Sequence, residues 1–321
     1  MASDVRVDSD AIWVGSRFSV AFQRTLRVPE DQDAYPLPPG LGRFPVLPVD
    51  ELRGPVPLAW REFGGVIIPM YQREALWLAF DGAEWKPNAV QIFAGHVNAV
   101  SGGGWTEGLL ARPQNYLVCP DQPWLDGINA GGGFIRQFVA MPLGLGYTVE
   151  AQLTGAEEVG GIQIRVYEPR PGRFPDQPPE RPTTLDAHSI RAPMAAPGMG
   201  LAAGGRIRQK IYPDPYGIES WDQEQMTSVR VHIVNSAQYE QLTGRPPPPS
   251  PVSAATYTEH GLPWFDLYDE TMGTVASSAD LETVQSVGNI ESEQGTGKPC
   301  REPPLHVDPS QIRRVERNKP K

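Results

Sequence analysis

Two short segments of the chain share a Pro-Trp-apolar-Asp core. One runs Asp121-Gln122-Pro123-Trp124-Leu125-Asp126, and the other Leu262-Pro263-Trp264-Phe265-Asp266. An indole beside a carboxylate suits a sugar: the ring stacks on the apolar face while the carboxylate accepts hydroxyl hydrogen bonds. The same residues also have a structural use, with Pro shaping a turn, Trp plugging the edge of a core and Asp capping a turn or helix. Four matching positions do not establish a duplication, so both uses stand as expectations.

The second segment continues to Asp269 and Glu270, which places three carboxylates within five residues. Such a run can hold a hard cation, or supply paired carboxylates for acid/base work on a glycosidic bond. It can equally be a solvated acidic loop, and it lacks the spacing and turn glycine of an EF-hand. In the first segment, Asp121, Asp126 and Asn129 form an oxygen-rich stretch before Gly131-Gly132-Gly133, which suits a hairpin or a close backbone approach to a ligand. The candidate ligand-binding residues are therefore Asp121, Trp124, Asp126, Trp264, Asp266 and Asp269.

Other motifs lose their chemistry in context. Gly198-Met199-Gly200-Leu201-Ala202-Ala203 matches a dinucleotide pattern, but Pro193 and Pro197 precede it and Gly204-Gly205 follow it. Neither flank predicts the strand and helix that the mechanism needs. Arg206 and Ile207 stand where a phosphate loop requires Lys and Ser/Thr. The five histidines show no metal-ligand spacing, and His96 and Ser101 lie close together without a nucleophile elbow. Neither a metal nor a cofactor is expected.

Gly and Pro together contribute 68 of 321 residues (33 and 35), which calls for short elements joined by many turns. Period-two alternation supplies the elements. Over residues 17–28, Phe18, Val20, Phe22, Leu26 and Val28 share one face, interrupted only by Arg24, which predicts a half-buried strand. Further strands are predicted at 66–68, 75–80, 89–100, 134–141, 161–168 and 228–234. Short helices are predicted at 236–243 and 280–287, with a helical turn or two in 50–63. The expected fold is mainly β: an antiparallel sandwich or jelly-roll-like body with long Gly/Pro-rich loops and one or two short helices.

Pro-rich stretches at 169–184 and 245–251 divide the chain. Residues 1–168 are expected to form the main β body. Residues 185–244 follow as a second segment packed on it, opening with a Gly/Ala-rich loop. Residues 252–297 form a small segment, and 298–321 a flexible basic tail. The net charge of −10 argues against nucleic acid as a partner, and no run of about 18 apolar residues predicts a membrane span. The polar start of the chain and two distant cysteines, Cys119 and Cys300, predict a cytoplasmic protein with free thiols. The leading expectation is a non-enzymatic binding or structural protein that recognises a protein or carbohydrate ligand through loops. The alternatives are a hydrolase using paired Asp residues, and an adaptor working through the Pro-rich spacers and basic tail.

Overall fold

The computed structural model describes residues 4–31, 33–52, 54–105, 108–178, 198–267, 272–295 and 302–315. Strand makes up 40% and helix 17%, so the architecture is mainly antiparallel β, as the alternation predicts. Two runs of strands carry it.

The first run begins with β1 (Val5–Asp8), β2 (Ala11–Val14) and β3 (Phe18–Thr25), with β4 (Ala34–Tyr35) and β5 (Gly40–Arg43) flanking. The chain then forms β6 (Leu47–Pro48), helix α1 (Leu58–Phe63), β7 (Val66–Met70) and β8 (Ala75–Asp81). Next come β9 (Asn88–Ala94), β10 (Val97–Asn98), β11 (Leu117–Cys119), β12 (Trp124–Leu125), β13 (Gly127–Gly131) and β14 (Phe134–Pro142). Helix α2 (Val149–Thr154), β15 (Ile162–Pro169), β16 (Gly198–Arg208) and β17 (Trp221–Asn235) complete the main sheet.

Pairing is β2-β3-β8 and then β14-β16 on one side, and β11-β9-β15-β17 and then β7-β6 on the other. The two runs join where Gly198 and Met199 pair with Val234 and Ile233. Alternate side chains from both runs, among them Phe18, Val20, Phe22, Leu76, Leu78, Ile92, Ile164 and Val231, meet in one core.

Alternation identified the strand at 17–28 but not its surroundings. Its other face is partly covered too, with Ser19, Ala21 and Thr25 buried and Gln23 half-buried, so β3 is more enclosed than the alternation implies. The Gly/Ala-rich loop expected after residue 185 is, from Gly198 to Arg208, an eleven-residue strand. Its small residues have a steric cause: a Cβ on Gly205 would lie 2.1 Å from the carbonyl oxygen of Pro29. Close backbone approach demands residues of low strand propensity, which hid the strand from sequence reading.

Six α-helices occur among the described residues where one or two were expected. The additions are one or two turns long, too short to show a helical period. Besides α1 and α2 the six are α3 (Ser236–Thr243), which has the predicted bounds, α4 (Ala254–Glu259), α5 (Ala279–Thr283) and α6 (Val287–Gln294). Side chains of Thr148, Asn235, Ser253, Ser278 and Ser286 cap the N-termini of the last five. Helix α6 lays Val287 and Ile290 on the outer face of the first run, against Val139, Met141 and Ala202.

The C-terminal region is held rather than loose from 302 to 315. Strand β18 (Trp264–Leu267) pairs in parallel with β19 (Ile312–Val315), and Leu305, Val307 and Ile312 pack on the core. Gln311 Nε2 donates to the Thr258 carbonyl at 3.0 Å. Few apolar residues suffice here, because they meet a core already built. The Pro-rich spacer is fastened as well, since Tyr71 Oη donates to the Pro248 carbonyl at 3.0 Å and Arg24 to that of Pro249 at 2.5 Å. Deleting residues 302–321 should lower the melting temperature by several degrees in a thermal-denaturation series, as loss of this docking exposes the edge of β18.

Candidate ligand-binding face

The chain entering β12 is positioned by amide side chains. Gln122 Nε2 donates to the carbonyls of Trp124 (3.1 Å) and Lys210 (3.2 Å), and its Oε1 accepts from the Tyr212 amide at 2.9 Å. Gln209 repeats the pattern, accepting from the Asp126 amide at 2.9 Å and donating to Asp126 Oδ2 at 2.7 Å. Gln114 bonds the Tyr212 carbonyl and the Asp214 amide. Three glutamines thus replace a backbone ladder between residues 114–126 and 209–214, and hold Trp124 at its place in the sheet.

Trp124 lies opposite Ala79 of β8. Its diagonal neighbours on that strand are Trp77 and Asp81, about 7–8 Å away in ordinary sheet geometry. Leu76, Leu78 and Phe80 face the core, so Trp77, Ala79 and Asp81 face outward. The Trp77 and Trp124 rings lie 6.1 Å apart at 56°, both half-buried. Gln23 of β3 lies opposite Trp77, and Ser19 opposite Asp81, whose side chain is exposed. Two tilted indoles, a carboxylate and an amide therefore share one outward sheet face. Sequence reading missed Trp77, Asp81 and Gln23. The signal for Trp77 was present, because it is the outward residue of the Ala-Leu-Trp-Leu-Ala-Phe alternation.

The remaining candidates fall elsewhere. Asp121 is partly buried and accepts from Tyr216 Oη at 3.2 Å. Asp126 is enclosed at 2% exposure, and burial raises its carboxyl to about 7, opposed only by the Gln209 hydrogen bond. No neighbouring carboxylate contributes to that rise. Trp264 has no exposed surface: its indole donates to Thr258 Oγ1 at 3.1 Å and meets the edge of Tyr257 at 6.4 Å. Asp266 faces Arg208 at 3.7 Å, and Asp269 lies outside the described residues. The two Pro-Trp-apolar-Asp segments therefore separate, one Trp standing on a sheet face and the other in the core. Cys119 is buried, and burial first and Asp121 second push its thiol up; Cys300 lies outside the described residues. No group of three or more His, Cys, Asp or Glu is placed to hold a metal ion among the described residues.

Two expected outcomes follow from these placements. Trp264→Ala should cost about 3–5 kcal/mol in urea denaturation, the range for a buried aromatic. Asp126 should make stability fall with rising pH. A carboxyl raised in the folded state contributes fully below its unfolded value of 3.8 and loses that contribution as pH climbs through about 7. The gap corresponds to about 4 kcal/mol. Urea titrations of the wild type and Asp126→Asn at pH 5 and pH 8 should show the variant gaining relative stability at the higher pH.

The chain matches no protein-family model, no curated protein and no solved structure. Side-chain geometry is thus the ground on which a functional reading stands.

Proposed function

We propose that this is a non-enzymatic binding protein that takes a polyhydroxylated ligand, such as a glycan, on the outer sheet face around Trp77 and Trp124. The observation that carries the reading is the pair of half-buried indoles, 6.1 Å apart and tilted 56°, beside the exposed Asp81. One indole stacks on the apolar face of a sugar ring and the other closes on its edge, while Asp81 meets the hydroxyls. A rigid sheet holds these groups in advance, which keeps the ordering cost of binding low.

A hydrolytic reading has less support, because the raised carboxyl of Asp126 is enclosed and already engaged by Gln209. The adaptor reading meets a competitor in the chain itself, since Tyr71 and Arg24 occupy carbonyls of the Pro-rich spacer. The two strand runs are best read as layers of a sandwich, since a single core takes side chains from both. No described helix is long and apolar enough to cross a membrane. We place the activity in the cytoplasm on the strength of the unpaired Cys119 thiol.

A glycan array followed by titration calorimetry tests the reading. The wild type should bind a subset of glycans, and Trp124→Ala and Asp81→Asn should each weaken binding about tenfold or more, Asp81→Asn with little change in urea midpoint. Binding unchanged in both variants, or no glycan bound at all, would overturn it.

A further inference from the structure

The outer face of the second run is built differently. Val90, Ile92, Ile162, Ile164, Val229 and Val231 point into the core. Their alternates Phe93, Gln163, Arg165 and Arg230 therefore point outward. One apolar cluster covers an end of this face with Trp60, Ile67, Val234 and Tyr239. Another covers the opposite end with Leu109, Tyr116, Tyr167 and Trp221. Between them runs a strip in which Gln163 lies opposite both Phe93 and Arg230, and Arg165 opposite Gln91.

The strip is cationic and aromatic. The Arg165 guanidinium, 8% exposed, lies 3.8 Å from the centre of the Trp105 ring and 5.4 Å from that of Phe93. His96 stacks on Trp105 at 5.3 Å and 13°. Arg230 covers the Phe63 ring at 3.9 Å and has no ion-pair partner among the described residues. Two enclosed polar atoms here lack hydrogen-bond partners: His96 Nε2 and Gln163 Oε1. Gln163 is 2% exposed, and its amide nitrogen is anchored on the Gly160 carbonyl at 2.7 Å, which leaves the oxygen unpartnered on the face that carries the strip. Two carboxylates act on His96: Glu150, which is committed to the Val159 and Gly160 amides at 3.2 and 2.8 Å, and, more weakly, Glu158.

We infer that this strip is a second binding site, for an oxyanion that carries its own hydroxyl, as a phosphate group or a hydroxycarboxylate does. The Arg230 guanidinium holds the anionic oxygens, in the planar fork geometry that suits carboxylate and phosphate alike, and the Arg165 charge, engaged by Tyr167, lies close by. The ligand hydroxyl donates to Gln163 Oε1, and His96 Nε2 completes the shell. An unpartnered buried acceptor costs free energy when the site is empty, and the ligand removes that cost. Trp105 covers the strip at the end of Gly102-Gly103-Gly104, whose backbone is held by hydrogen bonds with Asn98 and Ser101. The site is independent of the Trp77–Trp124 face, since it lies on the other strand run.

Thermal denaturation of the full chain with inorganic phosphate, lactate, acetate or chloride at matched ionic strength tests the proposal. Phosphate or lactate should raise the melting temperature where acetate and chloride do not, and the better of the two identifies the source of the oxyanion. Arg230→Gln, at a half-exposed position, should weaken that effect about tenfold or more while leaving the unliganded melting temperature nearly unchanged. Gln163→Leu should abolish the preference for the hydroxylated anion. Tryptophan fluorescence should respond to the anion in the wild type and lose that response in Trp105→Phe. No stabilisation by either oxyanion, or stabilisation that survives Arg230→Gln in full, would overturn the proposal.

Discussion

Arg24 occupies a core-side position of β3, between Phe22 and Leu26, and its guanidinium bonds Glu74 Oε1 through Nε at 2.8 Å and through a terminal nitrogen at 2.6 Å. Glu74 in turn accepts from the Tyr71 amide at 2.9 Å, and its carbonyl receives the Ala140 amide at 2.9 Å. Burial pushes the Glu74 carboxyl up, and the Arg24 charge opposes that rise. A pair so enclosed adds little net stability, yet breaking it leaves an uncompensated charge, at a cost of about 3–5 kcal/mol. Its consequence is geometric. It ties β3 to the turn before β8, where the two strands pair in register from Ser19–Asp81 to Thr25–Ala75. A slip of one residue would strand both charges and turn Trp77 inward. The outward Trp77–Trp124 pair therefore depends on this ion pair. So does the fastening of the Pro-rich spacer, whose Pro249 carbonyl completes the Arg24 hydrogen bonds.

The outer faces of the two runs meet the same problem in different ways. On the first, α6 covers one part with apolar side chains and the indole face remains beside it. On the second, two apolar clusters leave a polar strip between them. Aromatic rings shield the guanidinium groups there, which lets Arg165 sit nearly enclosed. His232 shows the same economy: it stacks on Trp60 at 4.5 Å and bonds the Gly64 carbonyl at 3.0 Å, and burial lowers its imidazole to about 4, so it stays neutral near pH 7. The polar groups of both faces are thus placed by strand parity and tuned by what covers them.

Alternation in residues 17–28, 75–80, 161–168 and 228–234 determined the strands and hence the fold class, because a two-residue period has one structural meaning. Sequence likewise predicted the helix at 236–243, and the structure adds the Asn235 cap and the left-handed Gly244 that bound it. Sequence also singled out Trp124 and set it beside Asp126, its neighbour along the chain, whereas Asp81 lies diagonally across from it in the sheet. Pairing between strands remote in sequence decided that, as it decided that Trp264 is a core anchor and that β16 is a strand despite its glycines. The polar strip left no local trace, since its residues come from three strands and two loops. The chain states which side chains alternate. Which face is covered, and by what, is set by tertiary packing, because burial depends on neighbours that no local pattern encodes.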